Sequence, residues 1–249
     1  MLYFIFIIGA IFGSFYGVVG TRLPEEKSIV KPGSHCEKCG HYLKWYENIP
    51  LLSYIFLGGQ CKKCKTPIGF VYFMTELLSG CLFALCYKVF GISYEFFTAI
   101  ILSSLVIIIF VSDSKYMIIN DSPLIISAII IFIIKWLNTG IVSALLSILS
   151  GLIIFGVAYL LMLFGSLAFK QEALGGGDIK LSFVAGMVLG VKLGILYIVL
   201  ASFLAFPYAV YITLKNKDNM LPFGPFLVSS LLIIYLNTNI INEIIKLIF

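Results

Sequence analysis

Long apolar runs constrain the fold of this chain more than any other feature. Residues 124–134 and 145–163 contain no charged side chain, and of all 249 residues only 12% are charged while 61% are hydrophobic. Soluble domains carry about 25% charged residues, so a water-soluble fold could not hide this much apolar surface. Backbone groups inside lipid must pair within the protein, which limits the choice to helices or closed barrels. Because the runs are unbroken and do not alternate, they predict an all-α polytopic membrane protein.

The positions of these runs predict about eight transmembrane helices. Their ranges are 2–19, 71–90, 96–112, 117–136, 141–169, 179–189, 193–214 and 226–249. Most have about 17–25 residues, the length that crosses a bilayer. The first run lacks a basic n-region and a small-residue cleavage site, so we interpret it as a retained helix. The predicted organisation is a first helix in residues 1–20, a polar loop domain in 21–70 and a transmembrane core in 71–249.

Basic residues predict the orientation of these helices. Lys and Arg total 17, and thirteen of them fall in the loops after the first, third, fifth and seventh predicted helices. Lys and Arg concentrate on the cytoplasmic side of membrane proteins, so these loops are predicted to be cytoplasmic and the N-terminus external. Eight of the thirteen lie between residues 21 and 65, and we interpret this run as an orientation signal, not as a nucleic-acid site. The same topology places Asp113 and Asp178 on one face of the membrane.

The 21–70 loop contains two Cys-x-x-Cys pairs, Cys36 with Cys39 and Cys61 with Cys64. Each pair presents two thiolates from one tight turn, and two such turns complete a tetrahedral Zn²⁺ site. Four protein ligands leave no open position, so the metal is predicted to be structural and to stabilise a segment with little core of its own. Two disulfides are the alternative, which a reducing cytoplasm disfavours. The neighbouring histidines, His35 and His41, are alternative ligands, but we interpret them as exposed loop residues.

Two aspartates are the candidate catalytic residues. Asp113 and Asp178 lie at the ends of apolar runs, where a carboxylate is costly and is therefore a functional candidate. Asp178 follows three glycines, Gly175–Gly177, which let the backbone approach a substrate closely. In a close pair of carboxyl groups one stays protonated while the other ionises, and this asymmetry activates water for peptide hydrolysis. The alternatives are a helix cap for Asp178 and a helix-end contact with Lys115 for Asp113.

Four further residues are candidate substrate contacts: Gly176, Gly177, Asp121 and Glu76. For Asp121 the alternative is a helix cap, and for Glu76 it is a hydrogen bond to a neighbouring helix. The sequence Pro222-Phe223-Gly224-Pro225 cannot continue a helix. It predicts either the entry into the last helix or a re-entrant turn near the site.

Taken in order and spacing, these motifs resemble the type IV prepilin peptidases, which include the competence-pilin peptidases of Gram-positive bacteria. The resemblance extends over nearly the whole chain. The matching residues are Gly13-Ser14-Phe15, Arg22-Leu23-Pro24, the cysteine pairs with Asn48-Ile49-Pro50 between them, Glu76-Leu77-Leu78, Asp113, Asp121, Gly175-Gly176-Gly177-Asp178-Ile179-Lys180 and Pro222-Phe223-Gly224-Pro225. The chain departs from the family at Phe70–Phe73, which lacks the usual basic residue and proline, and at Asn120, where proline is frequent.

The resemblance implies a membrane aspartic endopeptidase of the GxGD type, with Asp113 and Asp178 as its catalytic pair. Such an enzyme removes the short basic leader from type IV prepilins or pilin-like proteins at the cytoplasmic face of the bacterial plasma membrane. Many members also methylate the new N-terminus with S-adenosylmethionine, and the zinc-binding loop resembles that of these bifunctional members. The implied partners are prepilins and the lipid bilayer.

A transporter or zinc-stabilised scaffold is the alternative from a different class, with the aspartates binding a cation or relaying protons. Transporters place such residues near the bilayer midplane and often contain inverted repeats. Here both aspartates lie at one edge and the sequence shows no convincing repeat, which favours the peptidase. A membrane methyltransferase is a third hypothesis, but the sequence contains no glycine-rich cofactor fingerprint.

Overall fold

The computed structural model describes residues 1–169, 174–215 and 221–248 as an almost entirely helical bundle. The α-helices in these residues are α1 Leu2–Arg22, α2 Leu52–Phe56, α3 Phe70–Phe90, α4 Tyr94–Tyr116, α5 Asp121–Thr139, α6 Ile141–Phe169, α7 Gly176–Leu214, α8 Gly224–Leu236 and α9 Thr238–Ile248. Two basic residues of the predicted cytoplasmic loops, Lys170 and Lys217, lie outside the described residues. The all-α membrane fold predicted from the apolar runs is confirmed.

A row of small residues packs α1 against α3. A Cβ atom on Gly9 would lie 2.7 Å from the Ser79 carbonyl oxygen, and one on Gly13 would lie 2.6 Å from the Thr75 carbonyl oxygen. Small residues spaced by four let two membrane helices approach until their backbones touch. This contact holds α3, which carries Glu76, directly against α1.

A break at Gly190 divides α7 into two halves. The helix has 39 residues, which would extend about 58 Å if straight, nearly twice the hydrocarbon thickness of a bilayer. Gly190 has φ 74° and ψ −179°, a conformation that only glycine adopts readily. The break therefore separates the two helices predicted at 179–189 and 193–214.

The chain turns back at this break. Gly186 and Gly194 lie on either side of it, yet a Cβ on each would come within 2.8 Å of the same side chain, Ile154 of α6. Beyond the break, the Tyr197 carbonyl accepts a hydrogen bond from Ser230, six residues into α8, at 3.0 Å. The second half of α7 thus returns toward the end of the bundle where α7 and α8 both begin.

Two polar contacts set α5 parallel to the first half of α7. Asp121 at the start of α5 pairs with Lys180 at 2.7 Å. Near the other end, Lys135 Nζ donates to the Met187 carbonyl at 2.6 Å. A cation beside the last carbonyls of a helix satisfies acceptors that the broken helix leaves unpaired. These contacts support the turn at Gly190.

The last predicted helix, 226–249, is wrong as a single straight span. α8 and α9 are bent by 79° at the break between them, where Asn237 has φ −113° and ψ 20°. The 13 residues of α8 extend only about 20 Å. Polar residues at the break and in α9, among them Asn239, Asn242 and Lys246, disfavour an extension of α8 through lipid.

Six helices of the described residues are long and apolar enough to cross a membrane, and up to seven if the bent pair α8–α9 counts as one span. That count includes α7 once. Because the chain turns back at Gly190, the two halves of α7 correspond to the separate helices predicted at 179–189 and 193–214, and counting them separately gives seven or eight, in agreement with about eight predicted. Hydropathy locates these apolar residues, and the structure shows where the chain bends between them.

The polar loop between α1 and α3 forms a small unit of turns. Antiparallel bridges pair His35 with Tyr42 and Gln60 with Pro67, and each bridge closes one Cys-x-x-Cys turn. A short 3₁₀ helix, Trp45–Asn48, and then α2 connect the two turns. The loop therefore holds its two cysteine pairs on two similar hairpin-like turns.

Candidate active site and metal centre

Asp113 lies in the last turn of α4, and its side chain is buried at 6% exposure. The backbone N–H of Gly224, the first residue of α8, donates to Asp113 Oδ2 at 3.0 Å. Free N–H groups at a helix start favour a negative charge beside them. The predicted alternative, a contact with Lys115, is not formed, because Lys115 Nζ donates to the Tyr116 hydroxyl.

Asp178 is the third residue of α7 and is buried at 7% exposure. Its Oδ2 accepts the Gly175 backbone N–H at 3.2 Å. The N-cap of α7 is Gly175, so Asp178 is not the N-cap weighed from the sequence but caps the helix from its third position. Its Oδ1 is buried and has no hydrogen-bond partner among the described residues. Capping therefore occupies one oxygen of Asp178 and leaves the other available for chemistry.

Ile119, in the loop before α5, brings the two aspartates together. A Cβ on Gly177 would lie 2.6 Å from Ile119 Cβ, and one on Gly224 would lie 2.9 Å from Ile119 Cδ1. The residue next to Asp178 and the residue bonded to Asp113 thus contact the same side chain. The two carboxyl groups lie close enough for their charges to interact. The structure therefore places the predicted pair at one end of the bundle.

The other predicted residues of this end are more exposed. Gly176 is exposed, and a Cβ there would meet nothing within 4 Å. Asp121 and Lys180 form their ion pair at the surface, with side chains 54% and 52% exposed. Surface pairs of this kind contribute little to stability. The pair lies at the same end of α7 as Asp178, since Lys180 follows Asp178 by two residues.

Glu76 does not join the aspartate pair. It is buried in α3, and its Oε2 accepts the Leu51 backbone N–H at 2.7 Å. Leu51 lies just before α2 and has a φ of 62°, a left-handed conformation that costs energy in leucine. A charge-assisted hydrogen bond offsets part of that cost. In the structure Glu76 thus links the polar loop to the membrane helices.

The four predicted cysteines converge into one cluster. Their Sγ atoms all lie within 4.8 Å of one another, with Cys36 and Cys64 3.6 Å apart and Cys39 and Cys61 3.9 Å apart. A tetrahedral Zn²⁺ with Zn–S bonds of about 2.3 Å would separate its sulfurs by about 3.8 Å. All four thiols are free and none is in a disulfide. The donor set and spacing therefore fit a four-thiolate metal site.

The surroundings of the cluster favour thiolates. The Thr66 hydroxyl and backbone N–H lower the pKa of Cys64 to about 6, and the backbone N–H groups of Cys39 and Lys38 lower the pKa of Cys36. At Cys39 a backbone N–H of His41 acts in the same direction, but burial and the neighbouring sulfurs raise its pKa to about 11. Four thiolates this close repel one another, and a divalent cation removes that repulsion.

Glu47 is a buried carboxylate that the sequence patterns did not indicate. Its Oε2 accepts the Lys44 backbone N–H at 2.9 Å and contacts His41 Nε2 at 3.1 Å, and its Oε1 lies 3.9 Å from Lys62 Nζ. The hydrogen bond from Lys44, followed by the one from His41, lowers the pKa of Glu47. Since Lys62 follows the third cysteine, Glu47 connects both cysteine turns. His41 thus contacts Glu47 and lies outside the sulfur cluster.

Two other contributors to the sites escaped sequence reasoning. Ile119 and Leu51 act through backbone position or packing, so their side-chain types carry no signal.

Two family models match the chain. The bacterial peptidase A24 N-terminal domain matches residues 7–90, and the type IV leader peptidase family matches residues 100–210. The first match covers both cysteine pairs and Glu76, and the second covers both aspartates. No solved structure matches the chain.

Three relatives named prepilin leader peptidase/N-methyltransferase are similar to this chain. The one from Bacillus subtilis is 38% identical, with 99% of each chain aligned. The one from Myxococcus xanthus is 37% identical over 75% of this chain and 55% of the relative, and the one from Vibrio cholerae is 30% identical over 92% and 94%. Identity of this extent over the full length, together with both family matches, shows that the chain is a multi-pass bacterial membrane protein and belongs to the type IV leader peptidase family.

Proposed function

We propose that this protein is a membrane aspartic endopeptidase that removes the leader peptide from type IV prepilins or pilin-like proteins. One observation carries the proposal: Asp113 and Asp178 are both buried at the end of the bundle where Ile119 packs against Gly177 and Gly224, and each accepts a hydrogen bond from a backbone N–H. The names of the relatives support the same activity. A structural role alone would not require two acidic groups to share one buried position.

The proposed chemistry is hydrolysis by a carboxyl pair that shares one proton. Two carboxylates at close range in a poorly solvated site do not both ionise, so one is the base and the other the acid. The ionised aspartate takes a proton from water, whose oxygen adds to the scissile carbonyl carbon while the second aspartate protonates the carbonyl oxygen. When the C–N bond breaks, the amine leaves with a proton returned by the pair. The pair titrates as a unit, so neither aspartate is assigned as the base.

The start of α7 beside Asp178 suits an extended peptide. Gly176 is exposed with open space around it, so a substrate backbone can approach α7 closely there. Asp121 and Lys180 form a surface ion pair at the same end of α7. We propose Gly176, Gly177 and Asp121 as substrate contacts.

We propose that this end of the bundle faces the cytoplasm. The basic residues concentrated in the loops between helices support that orientation. A basic leader then stays with the cytoplasm and anionic headgroups, while the apolar pilin helix remains in lipid. The bond to be cut is thereby delivered to the membrane boundary, where both aspartates lie.

We propose that the cysteine cluster binds a structural Zn²⁺, held by Cys36, Cys39, Cys61 and Cys64. Bound zinc would stabilise the loop of residues 21–70 by neutralising the thiolates.

Methylation of the new N-terminus with S-adenosylmethionine is a second proposed activity, supported by the N-methyltransferase in the names of the relatives. We propose that Glu76 supports this methylation indirectly, because its hydrogen bond links the cysteine loop to α3.

The test is mass spectrometry of a prepilin co-expressed with wild-type protein or with the Asp113→Asn and Asp178→Asn variants. Leader loss and the mass of one methyl group are read from the same spectrum. Each variant should lower the rate of leader removal by at least about 10²–10⁴-fold, while the Glu95→Gln control, at the opposite end of α4, keeps it. Substantial processing by either aspartate variant, with normal insertion, contradicts the assignment of the aspartates as the catalytic pair. Absence of leader loss with the wild-type protein contradicts the peptidase and favours the transporter or scaffold alternative.

A further inference from the structure

The short helix α2 has one apolar face with no protein partner among the described residues. Leu52, Ile55 and Phe56 are spaced i, i+3 and i+4, so they share a face. Their exposures are 51%, 62% and 83%. Polar residues are expected on a loop surrounded by water, and three large apolar side chains on a five-residue helix indicate another environment.

Contacts with α3 place α2 at the depth of the membrane boundary. The Leu51 N–H reaches Glu76, which lies six residues, or about 9 Å, into α3. The Tyr54 ring packs on Phe70 and Phe73 in the first turn of α3, with centroids 6.3 and 5.1 Å apart. Because α3 has 21 residues, about 32 Å, nearly all of it is needed to cross a hydrocarbon layer of about 30 Å. Phe70 therefore lies at the edge of that layer and α2 beside it.

The residues around this face suit a lipid surface. An apolar cleft of about 330 Å³ continues the face toward Tyr46 and includes Ile49 and Leu57 in its lining. Trp45, 81% exposed, is of the type enriched at membrane interfaces. Lys62 lines the cleft, and three more exposed lysines of the same loop complement anionic headgroups: Lys44, Lys63 and Lys65.

We infer that α2 is an interfacial helix whose Leu52, Ile55 and Phe56 enter the acyl-chain boundary of the lipid leaflet. The polar loop is thus not suspended in water above the bundle but is held in the bilayer surface by α2. The hydrogen bond from Leu51 to Glu76 fixes the depth of that insertion. This inference concerns the loop and is independent of the reaction at the aspartates.

A tryptophan reporter on α2 tests the inference. The chain has two tryptophans, Trp45 and Trp136, and replacing both with Phe allows Phe56→Trp to serve as the sole reporter. The full chain is reconstituted into vesicles of phosphatidylcholine and phosphatidylglycerol, with lipids brominated at shallow or deep acyl positions. Most of the fluorescence should be lost with shallow bromines and less with deep ones. A matched reporter, Tyr42→Trp on the first cysteine turn, should lose little.

Two results would overturn the inference. Fluorescence at position 56 that is quenched no more than at position 42 means that the face is not in lipid. If the tryptophan at position 56 is shielded from water only when prepilin is added, then a protein substrate and not lipid covers that face. Zinc content of the purified variant reports whether the loop is folded, and Ile55→Trp on the same face replaces Phe56→Trp if the first reporter loses its metal.

Discussion

The backbone N–H of Gly224 donates to Asp113 Oδ2 at 3.0 Å, joining residues that are 111 positions apart in the chain. The bond places the start of α8 over the end of α4 and directs one oxygen of Asp113. A Cβ on Gly224 would lie 2.9 Å from that oxygen, a distance that real Cβ contacts do not tolerate. The proline-flanked turn that contains Gly224 is therefore part of the aspartate site.

Gly224→Ala should displace Asp113 and lower prepilin processing by about 10²-fold, the cost of a misplacement near 1 Å. Gly156→Ala is the control, because a Cβ at Gly156 meets nothing within 4 Å. The measurement is the initial rate of leader removal in proteoliposomes. Equal rates for the two variants would mean that this hydrogen bond does not position Asp113.

Gly177→Ala should reduce processing far more than Gly176→Ala. A methyl group at Gly177 meets Ile119 Cβ at 2.6 Å, whereas one at Gly176 meets open space. The neighbouring positions have the same residue type, so the comparison separates packing against Ile119 from helix propensity. The thermal unfolding midpoints of both variants in detergent show whether the loss of processing comes from a local change or from lower overall stability. Comparable activity in both variants would mean that packing against Ile119 does not position the aspartates.

Cys61→Ser should abolish stoichiometric zinc, because Cys61 is buried within the sulfur cluster. Cys81→Ser, an exposed cysteine of α3, should retain one zinc per chain. Metal content by mass spectrometry distinguishes the two. A strong chelator should also make the loop of residues 21–70 sensitive to protease in the wild type. Zinc retained by Cys61→Ser would show that another donor completes the site.

Glu47→Gln should weaken zinc retention by about tenfold, since supporting residues near a metal site tune affinity to that extent. The pKa of Glu47 is lowered in the folded loop. Its stabilising contribution is therefore present above the unfolded value of about 4.3 and is lost as pH falls through the lower folded value. Competition with a chelator should thus show the largest difference between variant and wild type near neutral pH. A difference that grows on acidification would contradict the assignment.

Local patterns determined most of the candidate residues. Two cysteine pairs within fifty residues predict a common metal because each pair is already a complete two-ligand turn. The even number of predicted helices between Asp113 and Asp178, counted with the basic loops, predicts one membrane face for both. In the structure the elements that carry them meet at Ile119, at one end of the bundle, and their catalytic role stays a prediction.

Other features depend on residues far apart in the chain. Glu76 resembled a substrate contact by its position in an apolar run, but in the structure it binds the Leu51 N–H of a loop 25 residues earlier. No sequence pattern indicated Glu47, and only its burial between two cysteine turns gives it a role. The 79° bend after α8 was also missed, because an apolar run shows which residues favour lipid but not the direction of the helix axis.

The sequence by itself determined the membrane class, the cysteine cluster and the two aspartates, because transfer of apolar surface from water and the donor set of a metal are properties of residue type and short spacing. Only the tertiary structure decided which backbone N–H binds each aspartate, which side chain brings their helices together and where α7 turns back. Those depend on packing between α4, α7 and α8, where contacts such as Ile119 with Gly177 and Gly224 are set by shape and not by residue pattern.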